Sequence, residues 1–213
     1  MATPTYRLIY FPIEGRAELT RLLFRYSGVE FEDYGLPREN WPTLKQDPKI
    51  KFGQVPILEI SGKPVAQSSA IVRYLSQKFG YLPTDPDAAL PIEELYAFIT
   101  SDLGDKNSTA NVIKDPEAQE AYRKDYFENQ LPRRLAYLER ILEGNTTGFL
   151  VGDKITLADF ALIDFAQKVL YNKNFGDRAK PTLEKLPNLT GYLQKRFGDP
   201  KYKAYLEKKA QQN

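Results

Sequence analysis

Residues Tyr6 to Phe11 alternate between apolar and polar positions and are rich in aromatic and β-branched side chains, a strand pattern that stops at Pro12, which cannot donate to a continuing ladder. From Arg16 onward Leu19, Leu22, Leu23 and Tyr26 fall at i, i+3, i+4 and i+7, the stripe of an amphipathic helix ending at Gly28. Val29 to Tyr34 reads as a second strand. Strand, helix and strand within about thirty residues make a βαβ unit, which implies a parallel pair joined by a right-handed crossover. After a polar stretch around Trp41, Val55 to Ile60 and Lys63 to Val65 flank Ser61-Gly62, a two-residue turn that predicts a β-hairpin. Gln67 to Phe79 then reads as a helix with Ile71, Leu75 and Phe79 on one stripe and Gly80 beyond it.

Gly80 to Pro91 carries three prolines among Thr and Asp turn formers, so a domain boundary belongs there. The pattern predicts domains at 1–80 and 91–213 with a linker at 81–90. Past it no strand pattern occurs: Leu131, Leu135, Leu138 and Leu142 form one helical stripe, and Leu157, Ala161 and Phe165 another. Pro132 is expected to kink the long segment from Ala118 to Leu142 by removing a hydrogen bond. The architecture is a small α/β domain followed by a larger all-helical one, without internal repeats.

Composition narrows the chemistry more than the fold. The 213 residues include neither Cys nor His, which removes a protein thiol nucleophile, a Cys-x-x-Cys redox pair, an imidazole base and the usual zinc ligand sets. Catalysis is left to Tyr, Ser, Thr, carboxylates, Lys, Arg, backbone groups or a reactive group brought by a ligand. Thirty basic and 28 acidic residues give a net charge of +2, no strong pull toward nucleic acid or an anionic membrane. Lys208-Lys209 reads as solvated tail. Met1-Ala2-Thr3-Pro4-Thr5 does not look like a secretory leader, and no run approaches the roughly 18 apolar residues of a membrane span. A cytoplasmic location is expected.

Four ordered stretches carry a family resemblance: Leu8-Ile9-Tyr10-Phe11 with Gly15-Arg16-Ala17-Glu18; Trp41-Pro42-Thr43-Leu44-Lys45; Phe52-Gly53-Gln54-Val55-Pro56; and Gln67-Ser68-Ser69-Ala70-Ile71. Their content and order resemble the sigma class of cytosolic glutathione transferases. Gly152 to Phe160 resembles the same family's helix-start motif, so the likeness spans nearly the whole chain. It implies an α/β thioredoxin-like N-terminal domain, an all-α C-terminal domain, glutathione as co-substrate, no metal, and a homodimer.

By position alone Tyr10 is a core or edge tyrosine; the matching motif makes it the residue that activates the thiol. Glutathione brings the nucleophile that the chain lacks. Its thiol titrates near the cysteine value of about 8.5, so activation means favouring the thiolate, and a two-unit shift corresponds to roughly 2.7 kcal/mol. Arg16 either supports the thiolate by charge or is a solvated first-turn cation. Gln67 and Ser68 open a helix whose free N–H groups suit the γ-glutamyl carboxylate, unless Ser68 is simply an N-cap. Trp41 and Lys45 could meet the glycyl end, although Lys45 could equally be an ordinary surface lysine. Val55 before Pro56 resembles the family's cis-proline turn, which pairs with the cysteinyl unit, and Gln54 lies alongside. Asp102 matches an acidic residue that reaches the neighbouring subunit's glutathione; otherwise it is an exposed helix carboxylate. Phe52 is a candidate interface anchor.

Conjugation of glutathione to electrophilic, hydrophobic small molecules near Phe11 and Ile13 is the function implied. A glutathione-dependent prostaglandin D synthase is a narrower reading, weakened by the small residues around Gly104 and Thr109 where that enzyme carries a tryptophan. A structural S-crystallin-like role is opposed by retention of Trp41, Lys45, Gln67 and Ser68. Thr156 and Asp159 have capping-box spacing and read as fold stabilisation.

Overall fold

In the computed structural model, which describes residues 4–48 and 50–210, the strand that the alternation predicts is β1, Tyr6–Tyr10. Residues 1–3 and 211–213, and the Lys208 side chain, lie outside the described part. A tight turn at Gly15–Ala17 leads into helix α1, Glu18–Ser27, so the helix proper starts after Arg16. Strand β2 is Glu32–Gly35 and begins later than expected. The cause is the helix cap: Gly28 is left-handed, and the N–H of Val29 returns to the Phe24 carbonyl at 3.2 Å, so Val29 closes the helix instead of opening the strand.

A short helix α2, Trp41–Leu44, precedes the hairpin strands β3, Ile57–Ile60, and β4, Lys63–Ala66. Ser61 and Gly62 between them have φ of 49° and 80°, the left-handed pair that a tight hairpin turn needs. The sheet order is β2-β1-β3-β4, with β1 parallel to β2 and antiparallel to β3, and β3 antiparallel to β4. Helix α3 follows at Ser68–Lys78.

Alternation along β1 divides this unit into two apolar layers. Tyr6 and Leu8 face α1, with the Tyr6 and Phe24 rings 5.0 Å apart, and α1 packs along α3 through buried Leu19, Leu22, Leu23, Ile71 and Leu75. Ile9 faces the other way, joining Leu36, Ile50 and Ile57 in a cluster on which Trp41 and Leu44 of α2 rest. Each fully buried leucine of this kind contributes on the order of 1.5–3 kcal/mol.

The chain divides into two units: Met1–Leu82 with Tyr205–Asn213, and Pro83–Ala204. The stretch 81–90, anticipated as a linker, includes Asp85, whose carboxylate accepts from the Ala88 N–H at 2.9 Å and caps helix α4, Pro86–Ala97. A π-helical stretch, Phe98–Asp105, continues into α5, Lys106–Thr109; then come α6, Pro116–Asp125, and α7, Leu131–Glu143. Pro132 lies within a continuous helical run from Pro116 to Glu143, directly after a wide π-helical stretch at Tyr126–Gln130, so the helix departs from regular α geometry just ahead of the ring.

Leu131, Leu135, Leu138 and Leu142 are all buried, as their stripe predicts. Helix α8, Leu157–Phe165, is buried on nearly every side, the mark of a central helix. Helices α9, Gly176–Leu183, α10, Pro187–Phe197, and α11, Pro200–Ala210, complete the chain, and the part of α11 from Tyr205 groups with the first unit. Among the described residues no helix is long and apolar enough to cross a membrane.

Candidate active site

Strand register gathers most of the candidate residues at one end of the sheet. Ile9 pairs with Ile57, Ile57 with Ala66, and Tyr10 with Gly35. The residue after Ile9 is Tyr10, the residue before Ile57 is Pro56, and the residue after Ala66 is Gln67. Tyr10, Val55-Pro56 and Gln67-Ser68 therefore leave three adjacent strands at the same end, the carboxyl end of the parallel pair, where sheets of this type bind ligands.

Tyr10 is buried, and its Oη accepts a hydrogen bond from the Arg16 backbone N–H at 3.1 Å. That bond fills an oxygen lone pair and leaves the hydroxyl proton available to a further acceptor. The approach depends on Gly15: φ is +45°, and a Cβ built there would lie 2.4 Å from Tyr10 Oη. The Arg16 side chain itself is exposed.

Phe11 links this centre to α2, its ring lying 5.7 Å from Tyr10 and 5.7 Å edge-on from Trp41. Trp41 is half-buried, and Lys45, exposed, caps α2 through its N–H to the Trp41 carbonyl at 2.9 Å. The Val55–Pro56 bond is cis, Val55 packs on the Ile9 cluster, and Gln54 is exposed beside it. Gln67 has φ 73° and ψ 108°, a left-handed backbone that non-glycine residues adopt at a cost. Ser68 is the first residue of α3, whose eleven residues present their free N–H groups at this sheet end. Asp102 is exposed within the π-helical stretch of the second unit.

A set of charged residues around the turn from Phe11 to Arg16 was not singled out by sequence reasoning. Arg21 donates through Nη1 to the Ile13 carbonyl at 2.8 Å and the Glu14 carbonyl at 3.3 Å, through Nη2 to the Phe11 carbonyl at 3.4 Å, and through Nε to Asp33 at 2.9 Å. Its Nη1 also reaches Glu18 at 3.3 Å. Glu18 is buried and accepts from Lys209 Nζ at 2.6 Å and from the Tyr205 hydroxyl. Lys209 Nζ also donates to Glu14 at 2.6 Å. Lys209 is thus paired with two carboxylates and is not the solvated tail that its sequence neighbourhood suggests.

Burial works to raise the Glu18 carboxyl, but hydrogen bonds from Lys209 and Tyr205 and the charges of Lys209 and Arg21 outweigh it and hold the group below its ordinary value. Burial disfavours the Lys209 ammonium too, yet Glu14 and Glu18 outweigh it and keep that group above its ordinary value. The sequence signal for this network was the i, i+3 spacing of Glu18 and Arg21, opposite charges on one helix face. Nothing local pointed from Glu18 to Lys209, which lies 191 residues away.

A mixed four-stranded sheet with a tyrosine and a cis-proline at one end, in a chain whose second unit is all-helical, defines a thioredoxin-like class of protein. Residues 6–77 match the family model "Glutathione S-transferase, N-terminal domain", and residues 102–209 match "Glutathione S-transferase, C-terminal domain". The chain belongs to the glutathione S-transferase family. It is 34% identical to glutathione S-transferase 2 of Manduca sexta, with 93% of each chain covered. It is also 34% identical to hematopoietic prostaglandin D synthase of Gallus gallus, over 91% of this chain and 97% of that one. Among solved structures, a Nu-class transferase from Haemonchus contortus is 30% identical with a TM-score of 0.79, covering 96% of this chain and 97% of that chain.

Proposed function

We propose that this transferase conjugates the thiolate of glutathione to hydrophobic, electrophilic small molecules, with the Tyr10 hydroxyl as the thiolate's hydrogen-bond donor. The observation that carries the reading is the Arg16 N–H on Tyr10 Oη, which orients the phenol with its own proton free. A hydroxyl donating to sulfur stabilises the anion relative to the thiol, the change that makes glutathione nucleophilic near neutral pH. Arg16 adds positive charge at the same turn. The half-exposed Ile13 offers an apolar surface beside it for the second substrate.

Around the thiol, the α3 N-terminus at Gln67 and Ser68 receives the γ-glutamyl carboxylate, and the costly backbone of Gln67 supports that role, because such conformations persist where function requires them. Trp41 and Lys45 meet the glycyl carboxylate, while Gln54, Val55 and Pro56 flank the cysteinyl unit. Asp102 completes the site of the other subunit in a two-fold homodimer, with Phe52, exposed among apolar residues of its size, as a candidate anchor. We assign the protein to the sigma class, to detoxication and to the cytoplasm on the sequence motifs.

The Gallus gallus relative favours a second reading, a glutathione-dependent prostaglandin isomerase. Against it, the one tryptophan of this chain is Trp41 on α2, while Gly104 and Thr109 supply only small side chains in the second unit. Tyr10→Phe tests the primary reading. Glutathione affinity should stay within about twofold while turnover of a chlorodinitrobenzene substrate falls and the bound thiol titrates at higher pH. Wild-type turnover with an unchanged thiol titration would remove Tyr10 from the mechanism.

A further inference from the structure

The geometry points to Tyr205 and Lys209, on α11, as positioning residues for the Tyr10 hydroxyl, acting through Glu14 and Glu18 on the Phe11–Arg16 turn; the inference rests on Tyr10 being the thiolate donor. Side chains hold several of the turn's backbone carbonyls. Arg21 gathers the carbonyls of Phe11, Ile13 and Glu14 on one guanidinium. That guanidinium is fixed in turn by Asp33 and Glu18. Glu18 is fixed by Lys209 and Tyr205, and Lys209 also grips Glu14 directly.

Glu14 immediately precedes Gly15, and Gly15 immediately precedes the N–H that meets Tyr10 Oη. A displacement at Glu14 is therefore passed to Arg16 across a residue that already touches the phenol. Charge adds to the dependence. Glu14 and Glu18 both lie within one ammonium's reach, so Lys209 offsets the repulsion between the two carboxylates, and its loss leaves Glu18 to Arg21 and Tyr205 while removing the cation that Glu14 shares with it. The Glu14 arm then swings toward solvent and takes the Arg16 N–H off the phenol. Tyr205 is itself buried, and its hydroxyl shares one Glu18 carboxylate oxygen with Lys209 Nζ, so the two donors fix that oxygen together.

The test compares Lys209→Met, Lys209→Arg and Tyr10→Phe, singly and as the Tyr10→Phe/Lys209→Met pair, by steady-state kinetics and ultraviolet titration of bound glutathione. Lys209→Met should lower kcat by about fivefold to tenfold with KM for glutathione within about twofold, and should raise the pH at which the bound thiol ionises. Lys209→Arg should restore most of kcat. In the Tyr10→Phe background Lys209→Met should cost less than about twofold, because its effect passes through the missing hydroxyl. Should Lys209→Met fold poorly, Glu14→Gln, at the outer end of the network, should shift kcat and the thiol titration in the same direction by about twofold to threefold.

An unchanged kcat and thiol titration in a folded Lys209→Met protein, or the same fold-loss with and without the Tyr10 hydroxyl, overturns the positioning role. Tyr10→Phe reports separately on the reading beneath it. If that variant alone is slow, a silent Lys209→Met sinks only the positioning role; if it keeps wild-type turnover, both fall together.

Discussion

At Gly15 the missing side chain sets how closely the backbone approaches the phenol of Tyr10. A β-carbon would meet Oη at 2.4 Å and Cε1 at 2.8 Å, and at φ +45° an L-residue is strained as well. Gly15→Ala should therefore move either the ring or the turn, lowering turnover by roughly tenfold or more while costing only about 1–3 kcal/mol of stability. Kinetics beside a melting curve check this, and a fully active Gly15→Ala protein would show that the turn relaxes without consequence. The place of Tyr10 at the end of β1 was legible because its strand and its terminating proline are both local in sequence. The reason for Gly15 was not: a glycine before a helix reads as turn chemistry, and only the folded strand and turn together show which atom it makes room for.

The elements whose ends carry local chemistry were the ones that could be read. Thr156 and Asp159 form the capping box of α8, with Asp159 accepting from the Thr156 N–H at 2.7 Å and from the Thr156 hydroxyl at 2.8 Å. Asp159 also takes the Leu150 N–H at 2.9 Å and the Tyr192 hydroxyl at 2.6 Å, so it joins three segments of the helical unit. Thr156→Ala should cost about 0.5–2 kcal/mol and leave kcat intact. Asp159→Ala, which strands buried donors, should cost about 3 kcal/mol or more. Chemical denaturation orders the two, and an equal loss would mean that the cap alone matters. The β2 boundary was missed because a strand pattern cannot reveal that the preceding helix borrows Val29 for its cap. Glu18 was missed as a structural residue because two of its partners, Tyr205 and Lys209, sit on α11, whose lysines look alike in sequence.

The Glu18 contacts give a pH signature at the same scale. The carboxyl is lowered in the folded state, so its contribution is complete above its unfolded value, near 4.5, and is lost as pH falls through the lower folded value. The Lys209 ammonium is raised, so its contribution is complete below its ordinary value of 10.5 and is lost as pH rises through the higher folded one. The stability gap between wild type and Glu18→Gln should accordingly be flat near neutrality and shrink below about pH 4.5. A gap that widened in acid would contradict this assignment of signs.

For the whole molecule, two halves of different character were readable from period alone, a mixed αβ pattern and then only helical stripes. What period could not convey is that the first unit is assembled from two pieces of chain, residues up to Leu82 and residues from Tyr205. The proposed dimer is tested at this scale. Asp102→Ala should weaken glutathione binding without dissociating the dimer, and a heterodimer of an Asp102→Ala chain with a Tyr10→Phe chain should keep one wild-type-like site if Asp102 serves the opposite subunit. Both defects then fall in the other site. Two singly damaged sites would place Asp102 in its own subunit's chemistry instead.

The two-piece construction also sets an order of events in time. A ribosome delivers Tyr10, Gly15 and Glu18 early, and strand pairing within residues 6–66 can begin at once. The hydroxyl and the ammonium that donate to Glu18 are translated 187 and 191 residues after it. Until they arrive Glu18 has Arg21 beside it but not Tyr205 or Lys209, and the Phe11–Arg16 turn lacks the Lys209 contact to the Glu14 carboxylate. The chemistry encoded first is finished late, by a contact whose great sequence separation makes it slow to find.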